Sequence, residues 1–144
     1  MKQRKQSLIS WIMDQKNFKN SSPRIKIIQK IYGSLMNPDE EIAYPKNQYK
    51  KYIKDVVSGT LERKELIEET IIKNLGKDIN LKKTDKLLKI IIFSAVFELM
   101  FKHKTPKKVV ISEYVRASEF FLEKAQIGYL NAILDKLSKL LRNN

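Results

Sequence analysis

The chain has 144 residues, with 29 lysines and arginines against 16 acids and a formal net charge of +13. That length suits one domain able to bury its own core, and 42% hydrophobic with 31% charged residues reads as globular rather than disordered. Cysteine is absent and His103 is the single histidine. Disulfides, thiolate chemistry, cysteine-ligated zinc and a histidine metal cluster are therefore excluded, and a cytoplasmic protein is expected.

Residues 1–20 are basic but lack the uninterrupted apolar run and small-residue cleavage site of a secretory signal. The most apolar stretch, Leu87 to Phe101, holds Lys89 and Glu98 and is too short for a membrane span. Charge is concentrated at the start: residues 1–36 carry +7, residues 37–84 +1 and residues 85–144 +5. A local excess of this kind is the footprint of a polyanionic partner, usually nucleic acid. The total is inflated by a bias to lysine, 24 against 5 arginines, which suggests an AT-rich genome. The asymmetry is thus the stronger sign.

Period-2 alternation is missing, and the four glycines and four prolines sit where helices would start or stop, so the fold class is all-α. Residues 1–20 read as a basic extension, either a mobile arm or a short helix with Leu8, Trp11, Ile12 and Met13 on one side. Residues 21–144 read as a single domain. Ser22-Pro23 reads as an N-cap with proline at the first helical position, opening a helix over about 23–36 with Ile27, Ile28, Ile31 and Leu35 on one face. Residues 37–46 form a loop. Pro45 can open the next helical pattern, which runs to Leu75 as one helix or as two broken near Gly59, and Gly76 is its stop. Thr84 is the expected N-cap of a helix to about 103. That helix is apolar nearly all round and should therefore be central. Thr105-Pro106 starts another, and a last helix follows Lys124 to Gln126.

Catalytic signatures are absent. The glycines are isolated, so no loop cradles phosphate, and HExxH and EF-hand patterns do not occur. Carboxylates such as Glu62 to Glu69 lie at helix-surface spacing among lysines, as a solvated face would. His103 ends the apolar helix, where a cation interacts favourably with helix carbonyls. Nothing marks the chain as an enzyme.

The runs KLLKIIIFSAVFEL (86–99), TPKKVVISEYVRASEFF (105–121) and IGYLNAILDKL (127–137) resemble the NusB family of transcription antitermination factors. Phe97-Glu98-Leu99 stands for that family's Tyr-Glu-Leu. Pro106, Val109, Ile111 and Glu113 match its second element, and Tyr129 to Asp135 match its third. RIKIIQKIYG (24–33) and YIKDVVSGTLERKELIEETI (52–71) are similar to its upstream helices.

The resemblance implies an all-α NusB-like bundle of about six to seven helices in two three-helix subdomains. It implies binding to the boxA segment of ribosomal RNA leaders, a heterodimer with NusE (a small-subunit ribosomal protein) and recruitment to the RNA polymerase elongation complex with other Nus factors, in support of ribosomal RNA synthesis. No cofactor, metal, membrane or catalytic residue is implied. Relatives occur as monomers and as homodimers.

Lys19, Arg24, Lys26 and Lys30 are the candidate phosphate contacts, since cations released from the RNA on binding favour association. Tyr32 and Tyr129 are candidates to stack on bases, with core packing the competing reading of Tyr32. Phe97 and Glu98 are candidates for the NusE-facing side, with a structural hydrogen bond the rival for Glu98. Two other classes stay open: a helical protein–protein adaptor, and the NusB-like RNA-binding domain found in RNA cytosine methyltransferases, whose catalytic domain 144 residues leave no room for.

Overall fold

A computed structural model describes residues 10, 12–19 and 22–142. Among the described residues there are seven α-helices and no strand. The helices are α1 (residues 12–19), α2 (Pro23–Met36), α3 (Lys50–Glu62), α4 (Lys64–Leu75), α5 (Lys86–Phe101), α6 (Lys107–Ser118) and α7 (Lys124–Leu141), with one 3₁₀ turn at Gly76–Asp78.

The start of α2 is as expected: Ser22 Oγ accepts from Ile25 N at 3.4 Å, and Pro23 fills the first turn. Other boundaries differ. Pro45 does not open α3, which begins at Lys50 behind a turn in which Asn47 Oδ1 accepts from Tyr49 N at 2.8 Å. The break between α3 and α4 falls at Arg63 rather than Gly59. Gly59 has a different use. An added Cβ would lie 2.2 Å from Phe97 Cζ, so the missing side chain lets the Phe97 ring of α5 lie against the α3 backbone. Gly76 does stop α4, at φ 53°, a left-handed value that glycine adopts without penalty. Asp85, not Thr84, caps α5, because the Thr84 hydroxyl donates to Asn80 O at 2.7 Å.

Helix α5 is the centre. Eleven of its residues, Leu88 and Ile90 to Leu99, are buried, and it contacts α2, α3, α4, α6 and α7. Helices α2, α3 and α5 pack mutually, as do α5, α6 and α7, while α4 packs on α3, α5 and α7 and α2 also meets α6. Each fully buried Ile, Leu or Val on it contributes about 1.5–3 kcal/mol of transfer free energy.

In α1, Ile12 and Met13 face solvent and Phe18 is the docking residue. Its ring stacks on Phe120 at 6.2 Å, and the Arg116 guanidinium, ion-paired with Asp14, lies 4.0 Å from its centroid. Leu8 and Trp11 lie outside the described residues.

Candidate nucleic-acid interface

The candidate residues divide into a buried set and a set that reaches the surface. Arg24 stands in the first turn of α2 and Glu98 near the end of α5, and they are each other's partner. Arg24 Nη2 donates to Glu98 Oε1 at 2.6 Å and Nε to Oε2 at 3.2 Å, a two-pronged pair. Tyr52 of α3 closes the network: its hydroxyl donates to Glu98 Oε1 and accepts from Arg24 Nη2 at 3.1 Å. Glu113 approaches Arg24 Nη1 at 3.7 Å, and the Tyr114 ring centroid lies 5.8 Å from the guanidinium carbon.

Glu98 is fully buried and Arg24 is 7% exposed. Burial pushes the Tyr52 hydroxyl up to about 12, helped by the Glu98 charge and hydrogen bond and opposed by Arg24. Burial, then the Glu98 charge, drives the Tyr114 hydroxyl well above its usual range. Burial acts to lower the Arg24 value, but the Glu98 hydrogen bond and charge outweigh it and the group is raised.

These placements put three of the candidates inside the bundle, and for Glu98 they fit the structural hydrogen bond held as the rival reading. Arg24 is not at the surface to meet phosphate, because its guanidinium is committed to Glu98. Glu98 does not face a partner, because a carboxylate on a central helix must be paired inside. Phe97 is 4% exposed and packs on Gly59 and, at 5.1 Å between centroids, on Phe101. The two-pronged bond instead ties α2 to α5.

On the other side of α2 lie Lys26 and Lys30, each half-buried. Lys26 and Lys30, one turn apart on α2, line a groove with Lys46 and Lys50, and Tyr44 and Asn47 lie in the same wall. All four are lysines, no carboxylate lines the groove, and none of the four is ion-paired among the described residues. Burial raises the Tyr44 hydroxyl, against a hydrogen bond from Ser58. Sequence reasoning misses Lys46 and Lys50. Their approach to α2 depends on the irregular segment 41–45 lying with Ile42 and Tyr44 against the core, and no local pattern announces such a crossing.

Tyr32, on the same helix, is 39% exposed. Lys19 is exposed on α1, its ammonium 5.9 Å from the Phe120 ring centroid. Tyr129 is 38% exposed on α7, and its hydroxyl donates to Asp78 O at 3.2 Å, so the ring is tethered to the turn after α4. Burial and then the Asp78 charge raise that hydroxyl. The groove lined by Lys26 and Lys30 includes neither Tyr129 nor Lys19.

Arg142 is a third residue that the sequence does not single out. It follows α7 and donates to four carbonyls at the end of α5 and in the turn after it: Leu99 O at 2.8 Å, Glu98 O at 2.9 Å, Lys102 O at 3.0 Å and Thr105 O at 2.6 Å. Leu99 O is one of the last carbonyls that a helix end leaves open, while Glu98 O and Lys102 O also accept from Lys102 N and Thr105 N. His103 Nε2 bonds Met100 O at 2.6 Å in the same turn. Among the described residues no cluster of three metal-ligating side chains occurs, and no helix is long and apolar enough to cross a membrane.

Comparison with known proteins agrees with this architecture. The NusB family model matches residues 4–139. The transcription antitermination protein NusB of Nitrobacter hamburgensis is 31% identical over 91 residues, covering 63% of this chain and 57% of that protein. That of Bradyrhizobium diazoefficiens is 29% identical over 93 residues, covering 65% and 56%. The chain thus matches little more than half the length of these curated relatives. Among solved structures, T. maritima NusB superposes with a TM-score of 0.70 at 19% identity, covering 81% of this chain and 88% of that one, a likeness of fold.

Proposed function

The chain belongs to the NusB family, and from that premise we propose that it is an RNA-binding transcription antitermination factor. In this reading it binds boxA RNA of ribosomal RNA leaders, pairs with NusE, and joins the RNA polymerase elongation complex through other Nus factors to keep ribosomal RNA transcription processive. It does this in the cytoplasm without cofactor, metal or catalytic step. Residues 21–144 are the RNA-binding domain and residues 1–20 its basic extension.

The observation that supports the RNA reading is the groove of Lys26, Lys30, Lys46 and Lys50, four cations without an ion-pair partner among the described residues and with no carboxylate between them. A single strand laid along it exchanges condensed counterions for lysines, which favours binding of any sequence. Preference for boxA needs unstacked bases on aromatic faces. Tyr32 and Tyr129, each about two-fifths exposed, supply such faces, and Lys19 adds charge from α1. Arg24, Glu98 and Phe97 enter this reading as the frame that orients α2 and α5 and not as contacts.

The test is competition between boxA and scrambled RNA, with and without NusE. A preference for boxA that sharpens when NusE is added is the expected result. Equal affinity for both sequences under both conditions would remove boxA recognition from the account and leave a sequence-independent RNA-binding domain; no binding of either RNA would leave a helical adaptor.

A further inference from the structure

A second cleft lies apart from the lysine groove on the outer face of α2. Its floor is apolar, made by Ile31 of α2, Leu81 before α5, and Ile90 and Phe93 of α5, and its volume is about 330 Å³. Small-molecule sites begin near that size. Its rim is cationic: Lys64, Lys82, Lys86 and Lys89, none ion-paired among the described residues. Lys89 is held over the cleft wall, its ammonium 5.9 Å from the Phe93 ring centroid.

One wall residue is out of character. Thr60 is 3% exposed and its Oγ1 has no hydrogen-bond partner. Thr70, on the next helix, satisfies the same hydroxyl on the carbonyl four residues back, Leu66 O, at 2.8 Å. A buried hydroxyl without a partner forfeits bonds it would have in water, and Thr60 is among the residues that line the cleft.

An apolar floor, a lone hydroxyl at depth and a lysine rim define a flat, largely apolar ligand with a polar edge inside and a negative charge at the mouth. A hydrocarbon tail would leave Thr60 unsatisfied, and a bare phosphate would leave the floor empty. We propose that this cleft takes one nucleotide, with the base inside against Thr60 and the phosphate on Lys86 and Lys89. The nucleotide comes either free or splayed out from an RNA strand. For the strand source alone, the inference rests on the RNA-binding reading above.

The experiment is a titration of the full chain with UMP, AMP, uridine and inorganic phosphate, followed by amide NMR shifts. The expected result is shifts at Thr60, Lys86 and Lys89, with nucleotides binding about tenfold more tightly than uridine or phosphate. Thr60→Val, which keeps the shape, should weaken nucleotides by up to about tenfold, the worth of one hydrogen bond, and leave phosphate binding unchanged. Lys86→Ala with Lys89→Ala should weaken nucleotides and phosphate together.

Displacement of UMP by single-stranded RNA supports the site and assigns it to the strand. Nucleotide binding that RNA does not displace supports it and assigns it to a free nucleotide. Phosphate binding as tightly as UMP, an unchanged Thr60→Val variant, or no shifts at Thr60 would overturn the inference. If RNA still binds the Lys26 groove in that case, the RNA reading survives alone. Nucleotide binding by a chain that binds no RNA has the opposite meaning.

Discussion

Replacing Glu98 with alanine deletes the acceptor of three hydrogen bonds, two from Arg24 and one from Tyr52, and strands a guanidinium that is 7% exposed. What remains near Arg24 is the Tyr52 hydroxyl and, at 3.7 Å, Glu113. Breaking a buried pair from one side costs about 3–5 kcal/mol because the other charge is left unpaired, a large share of the ~5–15 kcal/mol that holds a domain together. With a urea m-value of about 2 kcal/mol/M, the unfolding midpoint should fall by roughly 1.5–2.5 M. The assay is urea unfolding followed by circular dichroism. Its control is the double variant Arg24→Met with Glu98→Leu, which replaces both charges by apolar side chains of similar length. A buried pair exchanged in this way is often neutral or better, so the double variant should be markedly more stable than Glu98→Ala alone. A Glu98→Ala cost below about 1 kcal/mol, the range of a surface pair, would refute the reasoning. So would a double variant as unstable as the sum of the two single ones.

Gly59→Ala should destabilise by about 1–3 kcal/mol despite alanine's better helix propensity, since its Cβ meets the Phe97 ring; Phe97→Leu in the same chain should recover part of the loss in a thermal melt. Arg142→Ala should cost about 1.5–3 kcal/mol and speed hydrogen exchange at the Lys102 and Thr105 amides, which lie in the turn that Arg142 clamps. Stability should fall as pH rises from 10 toward 12. The Tyr52 hydroxyl is held near 12 in the folded chain against 10 when free, so the unfolded state gives up its proton first and is favoured. Tyr114 shifts in the same direction, and a Tyr52→Phe, Tyr114→Phe variant should show a shallower decline over that window.

The central place of α5 is legible in the sequence because a helix apolar on every side has to be covered on every side. The Ser22-Pro23 and Gly76 signals are legible for the same local reason: each satisfies or ends a helix within a few residues. Gly59 reads as a breaker and is not one. A glycine kept for close packing looks the same in sequence as one kept for a break, and only the Phe97 ring, 38 positions away, decides which it is. The Arg24–Glu98 pair shows the limit at the site. That Glu98 needs a cation can be read from its apolar neighbours, but that the cation is Arg24, 74 positions distant, is a fact of topology. Proximity in the chain groups Arg24 with Lys26 and Lys30, although the three divide between the two sides of α2: Arg24 inward, the lysines at the groove. The tether of Tyr129 to Asp78 and the clamp of Arg142 on α5 join residues 51 and 37–44 positions apart, beyond any local pattern.

The most direct measurement is the salt dependence of boxA RNA affinity for the parent chain and for a variant with Lys26, Lys30, Lys46 and Lys50 all changed to alanine. Each phosphate neutralised on a single strand adds about 0.7 to the slope of log affinity against log salt. The account predicts a variant that folds as before, binds more weakly at low salt, and has a slope shallower by about 0.7 for each phosphate that no longer meets a lysine. A variant with the parent's slope and affinity would show that RNA does not lie in this groove and would contradict the account at its centre.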